Sequence, residues 1–312
     1  MKLYCAPMEG ISKSLYRRLH HKYFPGADKY YAPFISPTQS GSFTPKELRG
    51  LLPEENEGIP LVPQLLTNSS DNFIWSARRL AAMGYGEINL NLGCPSQTVT
   101  AKRKGAGLLA YPELLDRILD SIFSALDVKI SVKSRLGIVS SNEFERILAI
   151  YNKYPIAELT VHARVQKDFY RLPARPGELA RFWPDIKAPK CYNGDIFFPS
   201  DLAAVSGILP DMPAVMLGRG LIRNPALITL LCGGTMPEKQ IFRDFHDELF
   251  EGYRASLHSE NALLCHMKEL WSYMGGIFED SEKCVKRIRK AGSAAAYCAA
   301  VSDIFALPLQ NA

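Results

Sequence analysis

Residues 188–220 read APKCYNGDIFFPSDLAAVSGILPDMPAVMLGRG. A short apolar run at 188–192 gives way to Asn193-Gly194-Asp195, a helical pattern covers 198–205, and a second run at 214–217 ends in Gly218-Arg219-Gly220. Strand, helix and strand in that order make a parallel βαβ unit, because a parallel neighbour is reached only by a crossover. In phosphate-binding barrels the loops after the last two strands offer backbone N–H groups to an anion, with glycine allowing close approach and arginine pairing with the charge. One such turn alone reads as an ordinary turn. Two at successive strands favour the anion site.

Working outward, runs rich in β-branched and aromatic residues recur at 2–8, 29–34, 60–66, 86–92, 128–135 and 158–163, giving eight strands in all. Helical spacing of apolar residues lies between them, most clearly at 71–83, 112–126 and 142–153. The alternation predicts an α/β protein, either a (β/α)8 TIM barrel or a doubly wound sheet. The strand ends favour the barrel. AlaProMetGluGly, AsnLeuGlyCysPro, LysSerArg, HisAlaArg, AsnGlyAsp and GlyArgGly are all polar or glycine-rich, and a barrel brings such ends to one face.

After the eighth strand, Asn224-Pro225 supplies a cap and a first-turn proline for a closing helix. CysGlyGlyThrMetPro then marks a boundary, which gives a barrel domain over 1–235 and a small C-terminal helical bundle over 236–312. Three helices are expected there, at 240–255, 261–278 and 281–304.

The 312 residues are 47% hydrophobic and 22% charged, a composition that excludes a disordered or fibrous chain. Apolar stretches are interrupted well short of the roughly 18 to 20 residues of a membrane span, so no membrane association is expected. The apolar run after Lys2 stops at Glu9, too soon for a secretory signal, and a cytoplasmic location follows. Seven cysteines without a CxxC pair argue against a disulfide framework and against a zinc site, so no metal is expected. The net charge of +5 is compatible with a polyanionic partner. Its excess lies in the larger part, with 28 basic and 21 acidic residues up to Gly234 against 9 and 11 beyond.

Several side chains carry chemistry by position. Cys94 follows the fourth strand between Gly93 and Pro95 and faces the mouth of a barrel, where a thiol of ordinary pKa stays protonated and can donate. Gln64 and Lys133 interrupt buried strands and need partners, since burying them unpaired costs several kcal/mol. A structural ion pair is the alternative for Lys133. His162 ends the sixth strand with Arg164 beyond it, placed either to bond a ligand or to satisfy a carbonyl. Lys283, Lys286, Arg287 and Lys290 share one helical face, read either as a solvated face or as a phosphate track.

Taken together, AlaProMetGluGly, AsnLeuGlyCysProSer, SerValLysSerArgLeuGly, ValHisAlaArg, TyrAsnGlyAsp and LeuGlyArgGly closely resemble the bacterial tRNA-dihydrouridine synthases, in register from residue 6 to about 225. The resemblance implies FMN held by Pro7, Met8, Glu9, Gln64, Lys133, His162, Asn193, Gly194, Asp195, Gly218 and Arg219, and reduced by NADPH. It implies hydride transfer to C6 of a uracil ring with Cys94 protonating C5, and Asn91, Arg135 and Tyr170 about the base. It also implies tRNA as partner of a monomer, flipped to reach the site and gripped by the helical domain, where Lys268, Trp271 and Tyr273 match a family cluster and Lys286 and Arg287 belong to the basic stripe. One departure is Asn89, where the family has an aspartate. The alternatives are an FMN barrel reducing a free enone or pyrimidine, and a non-catalytic RNA-binding protein.

Overall fold

Every strand pairs parallel to its neighbours in the structure, a computed structural model that describes residues 1–38 and 41–310. The segments are β1 (Lys2–Cys5), β2 (Lys29–Tyr31), β3 (Leu61–Val62), β4 (Gln64–Leu65), β5 (Glu87–Leu92), β6 (Lys129–Arg135), β7 (Leu159–His162), β8 (Lys190–Asn193) and β9 (Ala214–Leu217). Their spatial order is β3-β2-β1-β9-β8-β7-β6-β5-β4, with the two ends of the list consecutive in the chain. The ring therefore closes on itself as a TIM barrel of eight staves. Nine segments arise because Pro63 has no N–H to give the ladder and splits the third stave. Its carbonyl still accepts from Asn89 N at 2.9 Å, and an Ile35–Leu65 bridge joins the second stave to the third.

Register sets what meets at the mouth. Arg135 pairs with His162, His162 with Asn193 and Asn193 with Met216, so four staves end in one layer. At the opposite end the strand starts converge. Glu158, just before β7, accepts from Tyr4 Oη and Tyr31 Oη at 2.7 Å each, and Lys29 Nζ lies 2.8 Å from Glu87 and 3.4 Å from Glu158. The barrel is thus plugged below by a cluster in which Lys29 and two tyrosine hydroxyls meet the carboxylates of Glu87 and Glu158.

Beyond the barrel lie four helices, Lys239–Ser256, Glu260–Met274, Glu282–Lys290 and Ala294–Ala306. The expected helix over 281–304 is two helices, because Ala291-Gly292-Ser293 interrupts it and Ser293 Oγ caps the next one by accepting from Ala296 N. The expected helix over 261–278 stops at Met274, and a single 3₁₀ turn follows at Gly275–Ile277. This region shares its apolar core with the barrel helix Ser14–Tyr23. Phe24 packs on Phe242 and Phe245, and Tyr16 meets Phe245 edge-on, with ring centroids 5.2 to 5.7 Å apart. No helix among the described residues is long and apolar enough to cross a membrane.

Candidate active site

The C-terminal ends of β1, β6, β7, β8 and β9 surround a hollow open to solvent. Pro7, Met8, Lys133, His162, Tyr170, Asn193, Gly194, Asp195, Gly218 and Arg219 all line it, ten of the residues singled out in the sequence. Glycine is required at two points of its wall. A Cβ on Gly194, where φ is +154°, would come within 2.7 Å of Ala174 and Tyr192, and one on Gly220 would collide with the Ile196 carbonyl.

Charge in the hollow is mostly positive. Lys133 Nζ is recessed and donates to Asn193 Oδ1 at 2.9 Å, with no carboxylate paired to it among the described residues. Burial, and then the neighbouring Arg135, push its pKa down to about 8. Asp195 is the one acidic residue of the lining. It bridges Arg164 and Arg219, the latter at 2.6 Å, and accepts from Ala174 N at 2.8 Å. Burial raises its pKa, but these partners together hold it below the usual carboxylate range.

Arg164, read in the sequence only as a neighbour of His162, is the hub of this wall. Fully buried, it donates to the Leu172 carbonyl, to Asp195 and, at 2.8 Å, to His162 Nε2. An arginine can only donate, so Nε2 is an acceptor and the imidazole proton resides on Nδ1. Burial, with Lys133, Arg135, Arg164 and Arg219 around it, holds His162 neutral well below its ordinary pKa. The spacing of two along an extended chain was the available signal. Tyr170, about half exposed, lies over both Arg135 and Arg219, 5.2 and 5.1 Å from its ring centroid. Two cations packed against this ring hold it at the mouth.

Cys94 stands outside the hollow's lining, on the β5 side of the mouth. Its loop is braced from two directions: Asn91 Oδ1 accepts from Gly93 N and Cys94 N at 3.0 and 2.9 Å, and Arg135 Nε donates to the Gly93 carbonyl at 2.9 Å. Burial pushes the half-buried thiol's pKa up, outweighing the Ser96 backbone and the cations of Arg135 and Lys133, so it carries its proton at neutral pH. Gln64 also lies outside the hollow. Its amide is spent inside the barrel, donating to Asn89 Oδ1 at 2.8 Å and accepting from Asn91 Nδ2 at 2.7 Å. Asn89 completes the chain by donating to Ser131 Oγ, which an aspartate there could not do. Glu9 is exposed at the rim.

Lys268 Nζ donates to the Ala291 carbonyl, closing the C-terminus of Glu282–Lys290. Trp271 is wholly buried and donates to Tyr297 Oη. Lys283, Lys286 and Lys290 are exposed on Glu282–Lys290, the third of the four helices rather than the final one, while the exposed Arg287 pairs with Asp303.

A barrel with a cation-lined mouth and a protonated thiol beside it does not by itself fix the reaction, and comparison with known proteins narrows the choice. The model of the dihydrouridine synthase family matches residues 4–296. The chain belongs to the dihydrouridine synthase family. The match spans the barrel and most of the helical region. Among curated relatives, the tRNA-dihydrouridine(16) synthases of Ralstonia nicotianae and Cupriavidus necator are each 32% identical over 244 residues, covering 74% of this chain and 73% and 74% of theirs. A probable tRNA-dihydrouridine synthase of Staphylococcus aureus is 29% identical over 236 residues, 70% of this chain and 68% of that one. Among solved structures, a 2-naphthoyl-CoA reductase superposes with a TM-score of 0.56 at 15% identity, over 74% of this chain and half of that one, a likeness of fold. The wall made by His162, Arg164 and Asp195 and the loop that carries Cys94 are the parts of this dihydrouridine synthase family chain with chemistry to offer.

Proposed function

We propose that the protein is an FMN-dependent, NADPH-consuming tRNA-dihydrouridine synthase, a cytoplasmic monomer that reduces the C5–C6 double bond of uridines in tRNA. The observation that carries this reading is the recessed Lys133: a cation without a carboxylate partner, in a hollow whose other cations share one aspartate, facing a mouth that also holds a protonated thiol. A buried charge of this kind calls for an electron-rich partner from outside the chain.

That donor set fits FMN. Gly194, Gly218 and Arg219 would hold its phosphate, with Asp195 and Arg164 fixing the arginine. Lys133, His162 and Asn193 would face its ring, together with Pro7 and Met8 of the β1 end. When bound, the flavin supplies a hydride to C6 of uracil after reduction by NADPH. Cys94 holds the proton that C5 needs, and donating it from the other face completes a two-electron reduction. Asn91 and Arg135 act on the base through the loop they brace, and Tyr170 offers its ring for stacking. Gln64 acts at second hand, by fixing Asn91, and Glu9 from the rim. In this reading residues 1–235 are the catalytic domain and 236–312 an RNA-binding domain, its grip resting on Lys286 and its neighbours, with Lys268 serving to hold the helix that presents them.

The test is incubation of the purified protein with NADPH and tRNA made without modifications, followed by mapping of dihydrouridine. Conversion at one position is expected, and position 16, for which two relatives are named, is the first to inspect. Turnover of a free enone or pyrimidine in place of tRNA would replace this reading with that of a small-molecule reductase. RNA binding by a protein that takes up no flavin would replace it with a non-catalytic one.

A further inference from the structure

Three consecutive cations, Lys102, Arg103 and Lys104, follow the Cys94 loop, and none of them is ion-paired among the described residues. Their placement relative to the thiol is fixed by the backbone. Ala106 N donates to the Cys94 carbonyl at 3.0 Å, Lys104 N to the Val99 carbonyl at 3.3 Å and Gly107 N to the Lys104 carbonyl at 3.0 Å. Gly105 has φ of +55°, and a Cβ there would lie 2.8 Å from the Cys94 carbonyl, so the run is pressed against the Cys94 loop as closely as a chain can be. Arg103 itself sits at φ +53°, a conformation that costs a non-glycine residue strain and that clusters at functional sites. Its guanidinium lies over the exposed ring of Tyr111, 4.7 Å from the centroid.

The electrostatics are unfavourable as they stand. Burial and the neighbouring Lys102 both depress the pKa of Lys104, and no carboxylate relieves them. The basic stripe of the helical region differs, for Arg287 there is already answered by Asp303. Lys102 and Arg103 are exposed and Lys104 half-buried on a backbone bonded to the Cys94 loop, a run of three neighbouring cations that an extended polyanion can meet at more than one point.

We infer that Lys102, Arg103 and Lys104 form a clamp for RNA backbone phosphates at the rim of the mouth, seating the nucleotides beside the one that enters. This deepens the proposed function and rests on it. The backbone of the clamp and the Arg103 guanidinium are preorganised, and the backbone bonds to the Cys94 loop tie phosphate position to thiol position. Arg103 with Tyr111 adds a flat face on which a flanking base can stack.

The experiment measures binding of unmodified tRNA to the full chain across a salt series, comparing it with the variant Lys102→Gln/Arg103→Asn/Lys104→Gln, in which asparagine keeps the left-handed position tolerable. Each phosphate contact contributes about 0.7 to 0.9 to the slope of log K against log salt. The variant is expected to lose about three such contacts, about 2 to 3 in slope, and roughly tenfold or more in affinity at moderate salt. Lys102→Arg/Lys104→Arg is expected to keep both, which separates charge from folding. An unchanged slope and affinity in the neutral variant would overturn the clamp while leaving the enzyme reading intact. Absence of tRNA binding by the unaltered chain would overturn the proposed function itself, and the clamp with it.

Discussion

At the N-terminal end of the barrel Lys29 lies between Glu87 and Glu158, and two tyrosine hydroxyls take up the remaining capacity of Glu158. At the C-terminal end Lys133, Arg164 and Arg219 converge on a hollow with Asp195 as its one acidic wall residue. The same barrel thus buries charge twice. Below, the cluster is complete within the chain and its removal is a matter of stability. Above, the balance of the lining is positive, and in the proposed function an anionic ligand answers it. In a barrel the first arrangement holds the staves together and the second is where chemistry is done.

The sharpest way to break this contrast is at the thiol. Cys94→Ala removes the proton donor without touching the hollow, so dihydrouridine formation is expected to fall about a hundred- to ten-thousandfold while the flavin stays bound and is still reduced by NADPH. Near-normal yield, measured by mass spectrometry of the tRNA, would detach Cys94 from the mechanism.

Next in size is the lower cluster. Glu158→Ala takes the 2.7 Å acceptor from the buried hydroxyls of Tyr4 and Tyr31 while Lys29 keeps Glu87, and unfolding in denaturant should show a loss of about 3 kcal/mol from the two unmade hydrogen bonds. The upper cation behaves oppositely. Lys133 has a folded pKa lowered to about 8 from 10.5, so between those values the unfolded chain binds more protons and stability of the flavin-free protein rises with pH. That rise amounts to about 3 kcal/mol. Lys133→Met should abolish it, and should leave the protein no less stable at pH 7 while weakening flavin binding. A Lys133→Met variant as unstable as Glu158→Ala would erase the distinction between the two ends.

Smallest is the helical stripe. The Arg287–Asp303 pair is about half exposed on both sides, so Arg287→Gln should cost under about 1 kcal/mol in a thermal melt. Its effect on tRNA binding should fall below that of the clamp variant, because part of its charge is already neutralised.

The contrast also explains what was legible in the sequence. Strand ends with glycine and charge announced the mouth, and the eight staves were readable from apolar runs, because in a parallel barrel every stave is buried on both faces. Pro63 could not be read as a break, since its stave continues through it in space. The split at Ala291-Gly292-Ser293 was readable in principle from a glycine followed by a capping serine, but an alanine-rich flank masked it. Residues that act through another residue stayed hidden. Gln64, Asn91 and Arg135 were read as ligand contacts, and the sequence did not show that Gln64 bonds Asn91 while Asn91 and Arg135 brace the Cys94 loop; Arg164 and the run 102–104 drew no notice because their roles depend on which backbone they lie against.

The central claim, that the positive hollow and the thiol beside it form one reductive site for tRNA, is tested most directly by absorbance. The purified protein is titrated without oxygen, first with NADPH and then with unmodified tRNA. Flavin bands that bleach with NADPH and return on adding tRNA are the predicted result. Bands that bleach and do not return with tRNA, or a protein that shows no flavin bands after being offered FMN, would contradict it.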